Sequence, residues 1–207
     1  KRTDSKVTEI KVTVNEKEKY ISIWDNGGIP VEMHPEHKEY IPEMIFSNLK
    51  AGSNFNDDED RIVAGTHGVG ATLTNIFSKQ FTVKTCDGKK LFEQTFTNNM
   101  RERTKPKIKA QSKNFTEIIY YPDFEQFGME KFGIDEISSD IIKKRVIDIA
   151  ACNPGLKISL NGHIYKFKTF DAYASLYVDP VFYEKSKHWQ IAIGHSTNGY
   201  KNISLVN

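Results

Sequence analysis

The stretch Asp25-Asn26-Gly27-Gly28-Ile29-Pro30 follows a strand-like run at residues 20–24 (YISIW) and decides how the sequence is interpreted. Residues 8–14 (TEIKVTV) alternate in the same way, so the two runs predict a β-hairpin. A carboxylate at the end of the second strand can accept a hydrogen bond from an exocyclic amine, and the glycines let a purine approach the backbone. Taken alone, the stretch is more typical of an ordinary Asp-Asn-Gly turn.

A second glycine-rich stretch, Gly65-Thr66-His67-Gly68-Val69-Gly70, leads into a predicted helix at residues 69–77. The helix is predicted because positions 69, 73, 76 and 77 share one face. Successive backbone N–H groups at such a helix start can bind an anion, although a plain helix cap is the alternative. The stretch is not a Walker A motif, since no Gly-Lys-Ser/Thr ends it, and no strand directly precedes it as in a Rossmann fingerprint.

Between these two stretches lies a long polar loop at residues 51–64, which suits a lid over a nucleotide. Its acidic run Asp57-Asp58-Glu59-Asp60 is more typical of a solvated surface than of a metal site. Thr116 opens a later strand-like run. Its hydroxyl is a candidate to complete a polar cluster with Asp25, the alternative being a simple β-former.

The rest of the chain alternates between helical and strand-like segments. Further strands are predicted at residues 80–85, 91–97 and 116–121, helices at 41–49 and 140–152, and a hairpin of residues 157–160 and 163–168 around Asn161-Gly162. Residues 100–114 are predicted to be an exposed connection, and 189–194 and 201–206 to be β-like segments beyond a boundary near residue 179. Interleaved helices and frequent hairpins predict an α+β fold, a two-layer sandwich with a mixed sheet.

Composition excludes several classes of protein. The 207 residues are 38% hydrophobic, which is enough for a core, and the net charge of +2 gives no general electrostatic hold on nucleic acid. Cys86 and Cys152 share no metal-site or disulfide spacing and are predicted to be reduced. No apolar run approaches the roughly 20 residues of a membrane span, and no signal peptide is visible. Because the chain starts at Lys1, its true N-terminus is predicted to lie upstream, and its last residues look like an interrupted strand.

The order of these features resembles the GHKL (Bergerat-fold) ATPase domain, and longer stretches resemble type IIA DNA topoisomerases of the eukaryotic and viral branch. The stretches that carry the resemblance are residues 37–46 (HKEYIPEMIF), 51–55 (AGSNF), 73–78 (LTNIFS), 98–100 (NNM), 121–124 (YPDF), 149–150 (IA) and 203–207 (ISLVN). The resemblance covers nearly the whole chain.

The resemblance implies a GHKL ATPase domain at residues 1–178 and the beginning of a transducer domain at residues 179–207. It implies ATP and Mg²⁺ as cofactors. Asp25 would bind the adenine amino group, with Thr116 supporting it through water, and Ser53 and Asn54 would reach ribose and phosphate from the lid. The phosphate loop would comprise Gly65, Thr66, His67, Gly68, Val69, Gly70, Ala71 and Thr72.

The resemblance also implies an enzyme that passes one DNA duplex through a transient double-strand break. ATP binding would close an N-terminal dimer gate, formed with a second copy or a related subunit. DNA would be bound through the full-length enzyme, with no membrane involved. The location would be intracellular: nuclear in a eukaryote, cytoplasmic in a virus or bacterium. Two alternatives are a GHKL dimerisation or chaperone-like module that does not act on DNA, and a degenerate ATPase remnant.

Three positions depart from the family pattern. The family turn reads Asp-x-Gly-x-Gly-x-Pro, whereas Gly27 and Gly28 are adjacent, so the turn is one residue short. Thr72 stands where cellular eukaryotic enzymes usually have Lys, and His67 where Asn is common. The general-base Glu and the magnesium-binding Asn are expected before Lys1, and the lysine that senses the γ-phosphate beyond Asn207. The isolated segment is therefore predicted to bind ATP without hydrolysing it, and none of its tyrosines is assigned to DNA cleavage.

Overall fold

The computed structural model describes residues 7–51, 68–129, 136–186, 189–197, 199–200 and 202–205. Its main feature is a sheet of nine strands. The strands are β1 (Glu9–Asn15), β2 (Tyr20–Asp25), β3 (Ser78–Cys86), β4 (Lys90–Thr97), β5 (Glu102–Arg103), β6 (Lys107–Ala110), β7 (Phe115–Pro122), β8 (Lys157–Leu160) and β9 (His163–Tyr165). The order is β5-β4-β3-β7-β2-β1-β8-β9, with β6 also pairing with β4.

The sheet is mixed, as the sequence predicts. β1 pairs antiparallel with β2 and parallel with β8. The predicted hairpin at Asn161-Gly162 is present as β8 and β9, and both turn residues have positive φ, 48° and 83°. Such φ values define the tight two-residue turn that Asn-Gly favours.

One face of the sheet carries the core. The helices are α1 (Ile41–Ser47), α2 (Gly70–Ile76), α3 (Glu136–Cys152) and α4 (Phe170–Ala174), and a short 3-10 turn spans Phe124–Phe127. Val146 and Ala150 of α3 pack against Val12 and Val14 of β1. Phe46 of α1 packs in a second cluster that includes residues of β3 and β4. Because cross-strand partners project from the same face, both clusters lie on one side of the sheet, which confirms the predicted two layers.

The predicted exposed connection at residues 100–114 was wrong, because it contains β5 and β6, both paired with β4. The alternation Lys107-Ile108-Lys109 explains the difference. Ile108 packs against the core cluster while the flanking lysines are exposed, which is the period-2 pattern of an edge strand. One apolar residue in a basic segment is a weak signal without its partner strand.

The predicted apolar face of α2 was also wrong. Leu73 is 41% exposed, whereas the buried residues are Thr72 and Asn75. Polar side chains can occupy such positions only when hydrogen bonds are available to them, and those bonds come from α1.

The C-terminal part forms a separate two-stranded sheet. The predicted segment 189–194 is a strand, β11 (Gln190–Gly194), and it pairs with the preceding β10 (Pro180–Lys185). Residues 202–205, the described part of the segment predicted at 201–206, are not in a strand. The turn lies at Ser186, whose N–H donates to the carbonyl of Trp189 at 2.8 Å. A domain boundary at residue 179 stays a prediction. No helix among the described residues has the length and apolar character needed to cross a membrane.

Candidate functional site

The ends of three neighbouring strands bring Asp25, Thr116 and Thr85 into one row. Asp25 of β2 is the register partner of Thr116 in β7, which is in turn the partner of Thr85 in β3. Partners in register project from the same face, here the face that carries the helices. The predicted pairing of Asp25 with Thr116 is therefore present at the level of the strands, and Thr85 extends the row.

The hydroxyl groups in this row have a defined order. Thr85 Oγ1 donates to the carbonyl of Phe115 at 3.1 Å and accepts the N–H of Ile29 at 3.0 Å. It also lies 3.0 Å from Thr116 Oγ1. Since a hydroxyl has one proton, which Thr85 gives to Phe115, the proton between the two threonines comes from Thr116. The lone pairs of Thr116 are then left as acceptors.

Asp25 is an acceptor in the same row. Its Oδ1 accepts the N–H of Gly27 at 2.8 Å. Burial raises the pKa of the Asp25 carboxyl above its usual value, and the bond from Gly27 acts in the opposite direction. A partly desolvated carboxylate beside a hydroxyl that can only accept is suited to a ligand or water that donates.

The sheet face next to Asp25 is open. Ile23, two residues before Asp25 and on the same face, is 38% exposed, although Val12, its partner in β1, is buried. An exposed isoleucine on the core-bearing face marks a part of the sheet that the helices leave uncovered. The row of acceptors therefore borders an apolar floor, the combination found in small-molecule sites.

The shortened turn after Asp25 closes against β3. Neither Gly27 nor Gly28 has positive φ, so backbone conformation does not require glycine there. Glycine is required at these positions because there is no space for a Cβ. A Cβ on Gly28 would overlap the carbonyl oxygen of Cys86, and one on Gly27 would lie 2.8 Å from Asp25 Oδ1. The adjacent glycines thus let the chain pass directly over the end of β3, where Val31 N–H donates to Asp87 at 3.0 Å.

The second glycine-rich stretch is described from Gly68 onward. Gly68 has φ 59°, Val69 precedes the helix, and Gly70 and Ala71 open α2. Among the described residues, no atom lies within 4 Å of where a Cβ on Gly70 would stand. The side chain of the N-cap residue Val69 makes no capping hydrogen bond, and the first N–H groups of a helix have no partner within it.

Two buried polar side chains attach α2 to α1. Thr72 Oγ1 donates to the carbonyl of Asn48 at 3.1 Å, and Asn75 Nδ2 donates to the carbonyl of Phe46 at 2.9 Å. Both acceptors are carbonyls at the C-terminal end of α1, which lack partners within their own helix. The side chain of Thr72 is turned into the protein and the whole residue is buried, so its hydroxyl is not available to a ligand.

The other end of α2 is held by a strained turn. Asn98, Asn99 and Met100 have consecutive positive φ values of 52°, 56° and 64°. Asn99 Nδ2 donates to the carbonyl of Ile76 at 3.1 Å and to Asp123 Oδ2 at 3.0 Å. Left-handed backbone at non-glycine residues persists only where surrounding contacts enforce it. Here those contacts fix the last residue of α2.

Several predicted site residues fall outside the described part of the chain: Ser53, Asn54, Gly65, Thr66 and His67. Of the rest, Asp25 and Thr116 adjoin, while Gly68 to Thr72 form the start of α2 and its preceding turn. Thr85, Asn75 and Asn99 were not predicted from the sequence to belong to the site. Only Asn75 could have been suspected, because it is a polar residue three positions after Thr72 in a helix whose apolar Leu73 faces outward.

Side chains of the types that bind metals, and the two cysteines, contribute little to the candidate site. Among the described residues there is no group of three or more His, Cys, Asp or Glu side chains placed to hold a metal ion. The acidic run at residues 57–60 lies outside that part of the chain. Cys86 is buried and Cys152 is partly buried, and no disulfide joins the two.

Comparison with known proteins identifies the fold and the family, although no family model matches the chain. The ATPase and transducer domains of DNA topoisomerase II from Balamuthia mandrillaris superpose with a TM-score of 0.85 at 34% identity, over 93% of this chain and 51% of that one. The ATPase region of Saccharomyces cerevisiae topoisomerase II gives a TM-score of 0.84 at 32% identity, over 90% and 52%. The fold is therefore that of the GHKL ATPase domain.

Sequence similarity extends over the whole chain. A probable DNA topoisomerase 2 of Dictyostelium discoideum is 42% identical over 220 residues, covering 100% of this chain and 14% of that protein. The chain belongs to the type IIA DNA topoisomerase family and corresponds to part of its ATPase region. It spans 14% of the length of that curated relative, so it matches a small segment of a much larger enzyme.

Proposed function

We propose that this chain is the ATP-binding part of an ATP-dependent type II DNA topoisomerase. The observation that carries the proposal is the pair of acceptors Asp25 and Thr116, which Thr85 orders by accepting the proton of the Thr116 hydroxyl. Adenine offers an amino group, N6–H₂, where guanine offers the acceptor O6, so such a pair distinguishes the two purines. The carboxylate of Asp25 binds the amino group, and Thr116 accepts a hydrogen bond from a water that bridges the pair.

The triphosphate lies against the start of α2 in this proposal. The backbone N–H groups of Gly68 to Thr72 bind phosphate oxygens, and the lack of a side chain at Gly70 permits close approach. Gly65, Thr66 and His67 complete the loop, and Ser53 and Asn54 reach the ribose and phosphates from the lid. With Thr72 directed toward Asn48, this position supplies no cation, so backbone amides and Mg²⁺ carry the charge neutralisation.

The role of the whole protein is inferred from its similarity to DNA topoisomerase 2. The enzyme passes one DNA duplex through a transient double-strand break, and ATP binding closes a dimer gate between two ATPase domains. Residues 1–178 form the ATPase domain and residues 179–207 begin the transducer domain. The protein acts inside the cell, in the nucleus if the source is a eukaryote like the relatives. Similarity along the full chain supports this function over a dimerisation module that does not act on DNA.

The test is the Asp25→Ala substitution in the intact protein. Removal of a charged hydrogen-bond partner costs about 1.5–3 kcal/mol, so ATP affinity is expected to fall about ten- to a hundredfold. Isothermal titration calorimetry with ATP measures the affinity, and ATP-dependent relaxation of supercoiled plasmid measures the activity.

Ser22→Ala is the matched control, because Ser22 lies on the same strand with its side chain on the opposite face of the sheet. Full ATP-dependent relaxation by the Asp25→Ala protein would contradict the site assignment. Absence of any ATP-dependent relaxation by the parent protein would contradict the function itself.

A further inference from the structure

One edge of the large sheet is unusually rich in lysine. In β6, Lys107 and Lys109 are exposed on either side of the core residue Ile108. Lys105 and Lys113 flank the strand, and residues 104–113 contain no Asp or Glu. A strand of alternating lysines with a buried residue between them holds the two ammonium groups on one outward face.

The neighbouring hairpin adds two more lysines to this edge. Lys90 is the register partner of Ala110, and the N–H of Gln111 donates to the carbonyl of Lys89 at 3.0 Å. The turn between β3 and β4 is thereby held beside the end of β6. The lysine edge, as we define it, comprises Lys89, Lys90, Lys105, Lys107, Lys109 and Lys113.

These lysines lack the ion pairs that others in the protein have. Lys79, Lys144 and Lys157 each have a carboxylate oxygen within 2.9 Å. None of the six lysines of the edge has one within 4.0 Å among the described residues, and all six are exposed. Their charges are therefore available to a partner.

Three described carboxylates near the edge are Glu9, Asp87 and Glu93. Glu9 interacts with the charge of Lys113, but it is already paired with Lys157 at 2.9 Å. Asp87 accepts the N–H groups of Val31, Lys89 and Lys90 at 2.8–3.0 Å. Burial acts to raise the pKa of Asp87, but these backbone bonds outweigh it and hold the pKa below its usual value. Glu93 is the register partner of both Lys107 and Lys84, so its single charge is divided between two lysines.

Protection of an edge strand explains only part of the pattern. Lysines on an edge strand discourage pairing with another chain, a role that fits Lys107 and Lys109. It does not account for Lys89 in the turn and Lys90 at the start of β4, nor for Lys105 and Lys113 beyond the ends of β6. The concentration of six lysines in a chain with a net charge of +2 points to an anionic partner.

We propose that the lysine edge is a contact surface for the phosphate backbone of duplex DNA; this rests on the proposed function, which supplies DNA as the partner. Alternate residues of a strand are about 6.8 Å apart, so Lys107 and Lys109 can contact separate phosphates on one DNA strand. The contact depends on the charge of the phosphates and not on the base sequence. It is strongest at low salt, because each phosphate neutralised releases a counterion.

The experiment measures the affinity of the full-length protein for duplex DNA over a range of NaCl concentrations. The variant is Lys107→Gln/Lys109→Gln. Each phosphate contact contributes about 0.9 to the slope of log affinity against log salt, so the slope is expected to become shallower by about 1.8. ATP hydrolysis in the absence of DNA is expected to stay at the parent rate.

The matched control is Lys166→Gln/Lys168→Gln. These two lysines are also exposed, have the same spacing, and flank a residue packed against the core, Phe167, but they lie beyond β9 at the far end of the sheet. For this control variant, the slope of log affinity against log salt is expected to equal that of the parent. Lys89→Gln/Lys90→Gln serves as a second test pair at the turn and the start of β4, where substitution leaves β6 intact.

A parent-like slope in both test pairs, or equal losses in test and control pairs, would overturn the inference while leaving the proposed function in place. A parent protein with no affinity for duplex DNA would overturn the proposed function, and the inference with it.

Discussion

The two halves of the candidate site are held in place by different kinds of structure. Asp25, Thr116 and Thr85 are placed by sheet register, since each lies at the end of a strand and opposite the next. The start of α2 is placed by side chains: Asn75 and Thr72 bind the end of α1, and Asn99 binds the last residue of α2.

This difference has consequences for tolerance to substitution. A ladder of backbone hydrogen bonds holds the first half, so a change there must disturb backbone packing to move it. A few side-chain hydrogen bonds hold the second half, so loss of one amide can shift the whole of a short helix. Substitutions in each half therefore distinguish the two kinds of support.

Substitution of Gly28 by alanine is expected to have the largest effect on stability. The new Cβ would overlap the carbonyl oxygen of Cys86, and both partners are backbone atoms that cannot move aside cheaply. The free energy of unfolding should fall by about 3 kcal/mol. Urea denaturation of the chain measures the loss, with Gly162→Ala as a comparison in which a Cβ meets no atom but φ is 83°. Stability equal to the parent would show that the turn over β3 is not tightly packed.

Substitution of Asn75 by alanine should loosen α2. It removes the donor to Phe46 and leaves that buried carbonyl unsatisfied, at a cost of about 2 kcal/mol in unfolding free energy. ATP affinity should fall together with stability, because α2 carries the proposed phosphate site. Thr74→Ala is the control, since the Thr74 side chain donates within its own helix, to the carbonyl of Gly70 at 3.0 Å. Unchanged ATP affinity in a destabilised Asn75→Ala protein would separate α2 from the phosphates.

The strained turn supports a paired prediction. Asn99→Gly relieves a positive φ but removes the bonds to Ile76 and Asp123, so a net loss of about 1 kcal/mol is expected. Asn98→Gly relieves the same kind of strain at an exposed residue and should stay within about 0.5 kcal/mol of the parent. Thermal unfolding of both variants makes the comparison. Equal losses of stability in the two variants would show that the turn stabilises the protein through its backbone and not through the side-chain amide of Asn99.

The smallest expected effect is a pH dependence in the first half of the site. Burial raises the pKa of Asp25, so its stability contribution is present below the unfolded pKa and is lost as pH rises through the folded value. Binding of the adenine amino group requires the ionised carboxylate. The affinity for adenosine should therefore decline on acidification, and the decline should occur at a pH above the pKa of an ordinary aspartate. Adenosine carries no phosphate to titrate, and the Asp25→Ala protein should lack this step.

The sequence predicted most elements and two of the three residues in the row at Asp25. Strands with clean alternation, such as β1 and β4, and the Asn161-Gly162 hairpin were found from local pattern alone. Thr85 was missed because its importance depends on pairing with Thr116 across 31 residues of chain. Asn75 and Thr72 were misjudged because an apolar-face rule cannot anticipate polar side chains that bind the carbonyls of another helix.

The alternation of residues along each strand, the carboxylate placed before two glycines, and the family resemblance were all determined by the sequence, because each is a local pattern. The tertiary structure alone decided that β6 joins the sheet, that β11 pairs backward with β10, and that the polar face of α2 is its buried face. For β6 and α2 the deciding partner is distant in the chain: β4 for the basic strand, and the end of α1 for Thr72 and Asn75. The partner of β11, in contrast, is the strand directly before it. A polar or basic residue acquires its role only when folding brings that partner within hydrogen-bonding distance.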